Sequence, residues 1–324
     1  MKDPKVLCLG EILLDCLADQ SGLSLDQVNS WTAYPGGAPA NVACALTKLG
    51  TPSSFIGCVG RDGVGDELLT LLKNTGVDIT GLQRHATAPT RQVLVTRTET
   101  GERSFAGFKG YPTTAFADTH LQADQIPASL FESAEYLVLG TLALAYPDSK
   151  AAIAQALTLA DEYYVKILVD VNWRLVFWQD PKVAQERIDH LLRQVDFLKV
   201  TVEEAMWLFD SDDPVLIADR LDNLEGVLVT NGDRGCTYYL SGQSGSIPAF
   251  SVNTIDTTGT GDGFVAGFLH KLCQIGIRSL RNPTLAYQTI RYANAVGALT
   301  ATKPGAIAAQ PTAAEVDAFL ASIG

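Results

Sequence analysis

Histidine is scarce in this 324-residue chain, and the four present, His85, His120, His190 and His270, are too scattered for a histidine-based metal centre. The six cysteines form no Cys-x-x-Cys pair and several sit in apolar runs, so they read as small buried hydrophobes of a reducing compartment, not zinc ligands or disulfides. No apolar run reaches membrane-spanning length, and Met1-Lys-Asp-Pro-Lys5 leads into a strand without a signal-type apolar core. A cytoplasmic protein that engages no membrane is therefore expected. Basic residues are outnumbered, 24 Lys and Arg against 36 Asp and Glu, and the net charge of -12 argues against nucleic acid as a partner. Internal repeats, charge blocks and low-complexity linkers are also lacking. What is present, 47% hydrophobic residues in a long chain, suffices for a large core, and one main domain over residues 1–324 is expected.

Short runs rich in Val, Ile and Leu alternate with segments of helical period. Residues 6–9, 55–59, 136–139, 167–171, 197–200 and 227–230 read as strands, and 66–75, 149–160, 184–195 and 214–221 as helices. That order predicts an α/β fold, a mostly parallel central sheet covered by helices on both faces. Ligands of such sheets bind beyond the carboxyl ends of the strands, where Asp170, Asn172 and Asn231 fall. Two stretches, 15–34 and 90–110, break the alternation; 92–97 and 103–108, joined by Thr-Glu-Thr-Gly-Glu, look like a hairpin.

The most informative segment is Asp256-Thr-Thr-Gly-Thr-Gly-Asp-Gly-Phe-Val-Ala-Gly-Phe268. It follows an alternating run, Ile247, Ala249, Val252 and Ile255, that reads as extended, and it ends in a helical stretch with Phe264, Phe268 and Leu272. Between them, the amides of Gly259, Thr260 and Gly261 can converge where a helix leaves its first N–H groups unpaired, which makes a phosphate cradle. Asp262 on the same first turn is out of place in a site that only binds anions. Either it serves the positive end of the helix, or it takes a proton from a hydroxyl that attacks the bound phosphoryl group. A second glycine motif, Pro35-Gly-Gly-Ala-Pro-Ala-Asn41, opens a helix closed by Gly50. Gly36 and Gly37 allow a ligand to touch backbone, and Asn41 offers a donor and an acceptor; a plain loop with a surface Asn is the bland alternative.

Together the two motifs closely resemble those of the ribokinase-like (PfkB) carbohydrate kinases, most of all the fructokinases. Thr260 stands where that family mostly has Ala, and Gly263 where it has Ala or Ser; Gly263 loosens the helix by up to about 1 kcal/mol. The resemblance implies ATP and Mg²⁺ as cofactors and a small β-sheet lid from residues 15–34 and 90–110. An exposed hairpin alone is marginally stable, so the lid either closes on the main domain or pairs with another subunit in a homodimer through the lid strands. It places the sugar against Asp15, Gly36, Gly37, Asn41, Gln92, Phe108 and Arg174. It places the nucleotide against Asn172, Lys199, Thr201, Thr230, Gly232, Gly235, Asn294 and Ala298. Glu204 is implied to organise Mg²⁺ through water, and Asp256 and Thr258 to hold K⁺. Lys303-Pro-Gly-Ala306 is implied to wall the adenine. Simpler readings stay open: a turn-forming Asp15, an Arg174 ion pair with Asp170 or Asp180, a capping box from Thr201 and Glu204, a hairpin turn at 230–235, and ordinary packing at Asn294.

An acidic chain must attract ATP locally, through amides, a helix terminus, one or two basic side chains and Mg²⁺. The expected chemistry is direct in-line transfer, with Asp262, Gly259, Thr260 and Gly261 at the reacting group and D-fructose 6-phosphate as product. An ordinary Asp, of pKa near about 3.9, would be a weak base there. The alternatives are 2-keto-3-deoxygluconate kinase, whose substrate carboxylate would need Arg91, Arg97, Arg103 or Lys109, and a non-catalytic sugar sensor. A dinucleotide-dependent oxidoreductase lacks support, since no Gly-x-Gly-x-x-Gly follows the first strand.

Overall fold

Alternate residues of the first strand enter two different cores, which makes the central sheet two-sided. The computed structural model describes residues 3–99, 103–178 and 180–323; residues 100–102, which fall within the expected hairpin, and the Arg103 side chain lie outside the described set. Within the strand β1 (Val6–Leu9), Val6 and Cys8 pack into one apolar layer and Leu7 and Leu9 into the other, all essentially buried. The other strands of this sheet are β4 (Ser53–Gly60), β5 (Leu82–His85), β8 (Tyr136–Leu139), β9 (Lys166–Asp170), β10 (Phe197–Thr201), β11 (Gly226–Thr230), β12 (Cys236–Leu240) and β13 (Gln243–Ile247). Among the described residues its nine strands run β13-β12-β11-β10-β9-β8-β1-β4-β5. The pairings are parallel except β11 with β12 and β12 with β13.

The first core layer is built with α1 (Ala38–Leu49), α2 (Gly63–Thr75), α7 (Thr260–Ile275) and α8 (Pro283–Thr300). The second carries α3 (Pro147–Glu162), α4 (Pro181–Leu192), α5 (Val202–Phe209) and α6 (Pro214–Arg220). Each buried Leu, Val or Phe in these layers is worth about 1.5–3 kcal/mol relative to exposure. The short α9 (Ala306–Ala309) and then α10 (Ala313–Ser322) end the chain. A separate four-stranded sheet has the order β3-β2-β6-β7, formed by β2 (Leu13–Ser21), β3 (Trp31–Gly36), β6 (Gln92–Arg97) and β7 (Arg103–Phe108). The expected hairpin is its β6–β7 pair, with an irregularity between Leu94 and Val95.

The run Ile247, Ala249, Val252 and Ile255 belongs to a paired strand only at its start. β13 stops at Ile247, because Pro248 has no amide with which to continue a ladder. The chain from 248 to 259 then runs irregularly and leaves Ile255 60% exposed. The six cysteines are free, five of them buried, as their apolar surroundings imply. No helix of the described residues is long and apolar enough to cross a membrane.

Candidate active site

The first turn of α7 opens onto a cavity of about 1160 Å³ at the carboxyl ends of the parallel strands, larger than most single-ligand sites. Its N-cap, Gly259, has φ 78°, and a Cβ there would lie 2.9 Å from Ala306 Cβ, so conformation and close packing both demand glycine. Gly259, Thr260, Gly261 and Asp262 all line the cavity. Gly261 and Asp262 belong to the turn whose amides have no helical acceptor.

Asp262 is half-buried, and its Oδ2 accepts a 2.8 Å hydrogen bond from Asn41 Nδ2. The two glycine motifs, far apart in sequence, therefore meet at one carboxylate. Burial pushes the Asp262 carboxyl up from 3.8 to about 6; the Asn41 bond, Lys199 and Arg174 oppose the rise and Asp170 adds to it. The ordinary pKa assumed from sequence is thus overturned. A base about two pH units stronger than free Asp is still mostly ionised at neutral pH. Asn41 is 4% exposed, and its Oδ1 is buried without a hydrogen-bond partner.

On the same side, Asp15 and Gly37 line the cavity. A Cβ on Gly36 would sit 2.5 Å from Asp15 Oδ2, and one on Gly37, at φ 105°, 2.5 Å from the Glu11 carbonyl oxygen. Gly36 therefore admits the Asp15 carboxylate, and Gly37 lets α1 start against the chain leaving β1. The structure does not bring Gln92 or Phe108 onto the cavity wall. Along β6 the inward face carries Val93 and Val95, so Gln92 lies on the other face, near Cys16 Sγ and Lys109 Nζ. The Phe108 ring is held by Phe116, Phe177 and the Arg91 guanidinium, and Phe105 faces the cavity in its place.

Opposite Asp262, Lys199 Nζ donates to Asp170 Oδ1 at 3.0 Å, both residues about 95% buried. A Cβ on Gly261 would lie 3.4 Å from that ammonium, so Lys199 stands beside the anion cradle. Burial works to lower the Lys199 pKa, but Asp170 and Glu204 outweigh it and hold the ammonium charged. Arg174 lines the cavity and donates to the Trp173 carbonyl at 2.9 Å. The surface ion pair suggested for it gives way: Asp170 pairs with Lys199, and Asp180 caps α4.

Thr201 and Glu204 form the capping box at the start of α5. Glu204 Oε2 accepts the Thr201 N–H at 2.9 Å and Oε1 the Trp173 N–H at 2.8 Å, which ties the loop after β9 to this helix. Asn172 in that loop has φ 39°, a conformation Asn tolerates better than most residues. Among the described residues, no group of three or more His, Cys, Asp or Glu side chains could hold a metal. The oxygen-rich lining instead fits Mg²⁺ carried mainly by phosphate oxygens.

Thr230, Gly232 and Gly235 line the far end of the cavity across from Asn294 and Ala298. Thr258 also lines it, while the Asp256 carboxylate collects the amides of Thr258 at 3.0 Å and Gly305 at 3.0 Å. Lys303–Ala306 is not on the cavity wall; Ala306 packs on Gly259, and Gly297 and Ala301 line the cavity instead. Sequence reasoning also missed Glu11. It lines the cavity, is 6% exposed, and is pushed to about 7 by burial while its Oε1 accepts the Ala38 N–H at 3.1 Å. Its only sequence signal was a lone acid in an otherwise apolar run.

The profile of the pfkB family carbohydrate kinases matches residues 3–313. The chain belongs to that family. It is 35% identical over 322 residues to the probable fructokinase-5 of Arabidopsis thaliana, with 98% of each chain covered. A fructokinase from Xylella fastidiosa with bound ATP superposes with a TM-score of 0.88 at 28% identity, again with 98% of each chain covered. A putative ribokinase II from E. coli in complex with ATP and Mg²⁺ gives 0.86 at 28% identity, with 98% and 99% covered. The protein is an ATP-dependent sugar kinase of ribokinase-like fold. Arg91 is fully buried and committed to Asp118 at 2.6 and 2.9 Å, and Arg97 to the carbonyls of Ala18 and Asp19 at 3.0 and 2.6 Å.

Proposed function

We propose that this kinase transfers the γ-phosphoryl group of ATP to the 6-hydroxyl of D-fructose, with Asp262 as the base. The observation that carries the reading is the Asn41–Asp262 hydrogen bond of 2.8 Å, which joins the acceptor-side helix to the anion cradle. Asp262 takes the hydroxyl proton as the oxygen bonds phosphorus. The bond from phosphorus to the bridging oxygen breaks, and its electrons leave on ADP. The amides of Gly259 and Gly261, with Lys199 and Arg174, take up the charge of the transferred group, while the Thr260 N–H is spent on the Thr257 carbonyl at 3.3 Å. Mg²⁺, when bound, neutralises the phosphate oxygens. The nucleotide extends along Asn172, Thr201, Thr230, Gly232, Gly235, Asn294 and Ala298, with Glu204 beside its metal. Fructose sits between Asp15, Gly36, Gly37, Asn41 and the apolar face of Val93, Val95 and Phe105.

Residues 1–324 act as one kinase unit whose four-stranded sheet is a lid over the sugar, and two copies pair through their lid strands. K⁺ is held by the loop of Asp256 and Thr258, supported by its contact with Gly305. Of the four basic residues that could meet a keto-acid carboxylate, Arg91 and Arg97 are already committed, which leaves Lys109 and Arg103 and favours fructose. Incubation of the purified enzyme with MgATP and fructose, ribose or 2-keto-3-deoxygluconate tests this. Efficient ADP release is expected with fructose; preferential release with the keto acid would overturn the assignment.

A further inference from the structure

The glycine at position 263 has a structural cause. A Cβ on Gly263 would lie 2.8 Å from Thr300 Oγ1 and 2.9 Å from Gln310 Oε1, closer than real Cβ contacts come. Those two atoms are hydrogen-bonded to one another at 3.1 Å, and both residues are buried. With its oxygen so placed, the Gln310 amide turns its Nε2 to the carbonyl oxygen of Gly259 at 3.2 Å. That carbonyl belongs to the N-cap of α7 and also accepts the Gly263 N–H at 2.8 Å.

The segment that supplies Gln310 is itself clamped. Lys48, in the last turn of α1, donates to the carbonyls of Ile307 at 2.6 Å, Ala308 at 3.3 Å and Gln310 at 3.4 Å. Gly305 N–H bonds Asp256, and Ala306 packs on Gly259. The anion cradle is thus held from behind by a short stretch of chain tied to the acceptor-side helix. From this arrangement the structure assigns Gln310 as a positioning residue for phosphoryl transfer. It fixes the left-handed Gly259 turn that aims the cradle amides, and Gly263 is the residue that leaves it room. This assignment rests on the reading of Gly259–Gly261 as the cradle.

Gly263 alone would let the start of α7 flex, since glycine weakens a helix interior. The Gln310 bridge restores stiffness where the transferred group is bound, and preorganised donors lose value quickly when they move. One buried hydrogen bond corresponds to about a three- to tenfold effect.

The test is a double-mutant cycle between Gly263→Ala and Gln310→Leu, with steady-state kinetics for both substrates and melting temperatures for each variant. Gln310→Leu is expected to lower kcat about three- to tenfold and raise KM for ATP, with KM for fructose unchanged. Gly263→Ala should do the same by displacing the amide. In the Gln310→Leu background, adding Gly263→Ala should cost less than it does in the wild type, because one of the two oxygens that the new methyl meets is gone while Thr300 Oγ1 remains. Additive losses, equal changes in both KM values, or wild-type kinetics in folded Gln310→Leu would overturn the assignment. If Gln310→Leu fails to fold, Gln310→Met replaces it, and the same kinetic outcomes decide. A wild-type enzyme inactive on every sugar would instead overturn the cradle reading, so the two failures are distinguishable.

Discussion

Replacing Asp262 by Asn should stabilise the protein while destroying its activity. In the folded state the Asp262 carboxyl titrates at about 6 against an ordinary 3.8, and burial is the leading cause. A raised carboxylate pKa means that the folded state binds the proton more tightly than the unfolded one. Between pH 3.8 and about 6 the folded form therefore loses stability as pH rises, and the full cost is present above about 6. At about 1.4 kcal/mol per pH unit the ceiling is about 3 kcal/mol. The carboxylate is partly open to a wet cavity, so solvent screening reduces the expected relief to about 1–2 kcal/mol. The amide introduced by Asp262→Asn keeps the shape and an oxygen that can accept from Asn41. For a chain of this length, about 2.1 cal/mol/K per residue converts that gain to a Tm increase of about 1.5–3 °C at pH 7.5. Thermal melts of substrate-free wild type and Asp262→Asn should show the gain at pH 7.5, roughly halved at pH 5. A variant less stable than wild type at pH 7.5, or a gain indifferent to pH, would refute the reasoning.

Other consequences follow from the same geometry. Asn41→Leu removes the bond that favours ionised Asp262, so the acid limb of kcat/KM, near about 6 in the wild type, should move to higher pH; an unmoved limb would contradict the coupling. Lys199→Met takes the ammonium from beside Gly261 and leaves Asp170 unpaired; KM for ATP should rise and kcat fall at least about tenfold by initial-rate kinetics. Arg91→Leu strands Asp118, and urea unfolding should show a loss of about 3–5 kcal/mol, the usual cost of an uncompensated buried charge.

The architecture was legible because its signals are local. Strands β1 and β8 match the apolar runs at 6–9 and 136–139 residue for residue, and both glycine motifs open helices as their composition implies. What escaped sequence reasoning was tertiary. Alternation continued past Ile247, but a strand needs amides to donate, and Pro248 supplies none. Gln92 and Phe108 lie in the right strands, yet the pleat and the Arg91 cluster direct their side chains elsewhere. Nothing in the spelling of Gly10-Glu-Ile12 marks Glu11 as buried beneath α1. The elevated basicity of Asp262 likewise arises from burial, which only the folded chain provides.

The central claim is that Asp262 removes the proton of the acceptor hydroxyl as the phosphoryl group arrives. Rapid-quench measurement of a single turnover by Asp262→Asn, with saturating fructose and MgATP and with both affinities measured by calorimetry, tests it most directly. The account predicts binding of both substrates within severalfold of wild type and a transfer rate lower by at least about a thousandfold. A folded variant that transfers phosphate at a rate close to wild type would contradict it.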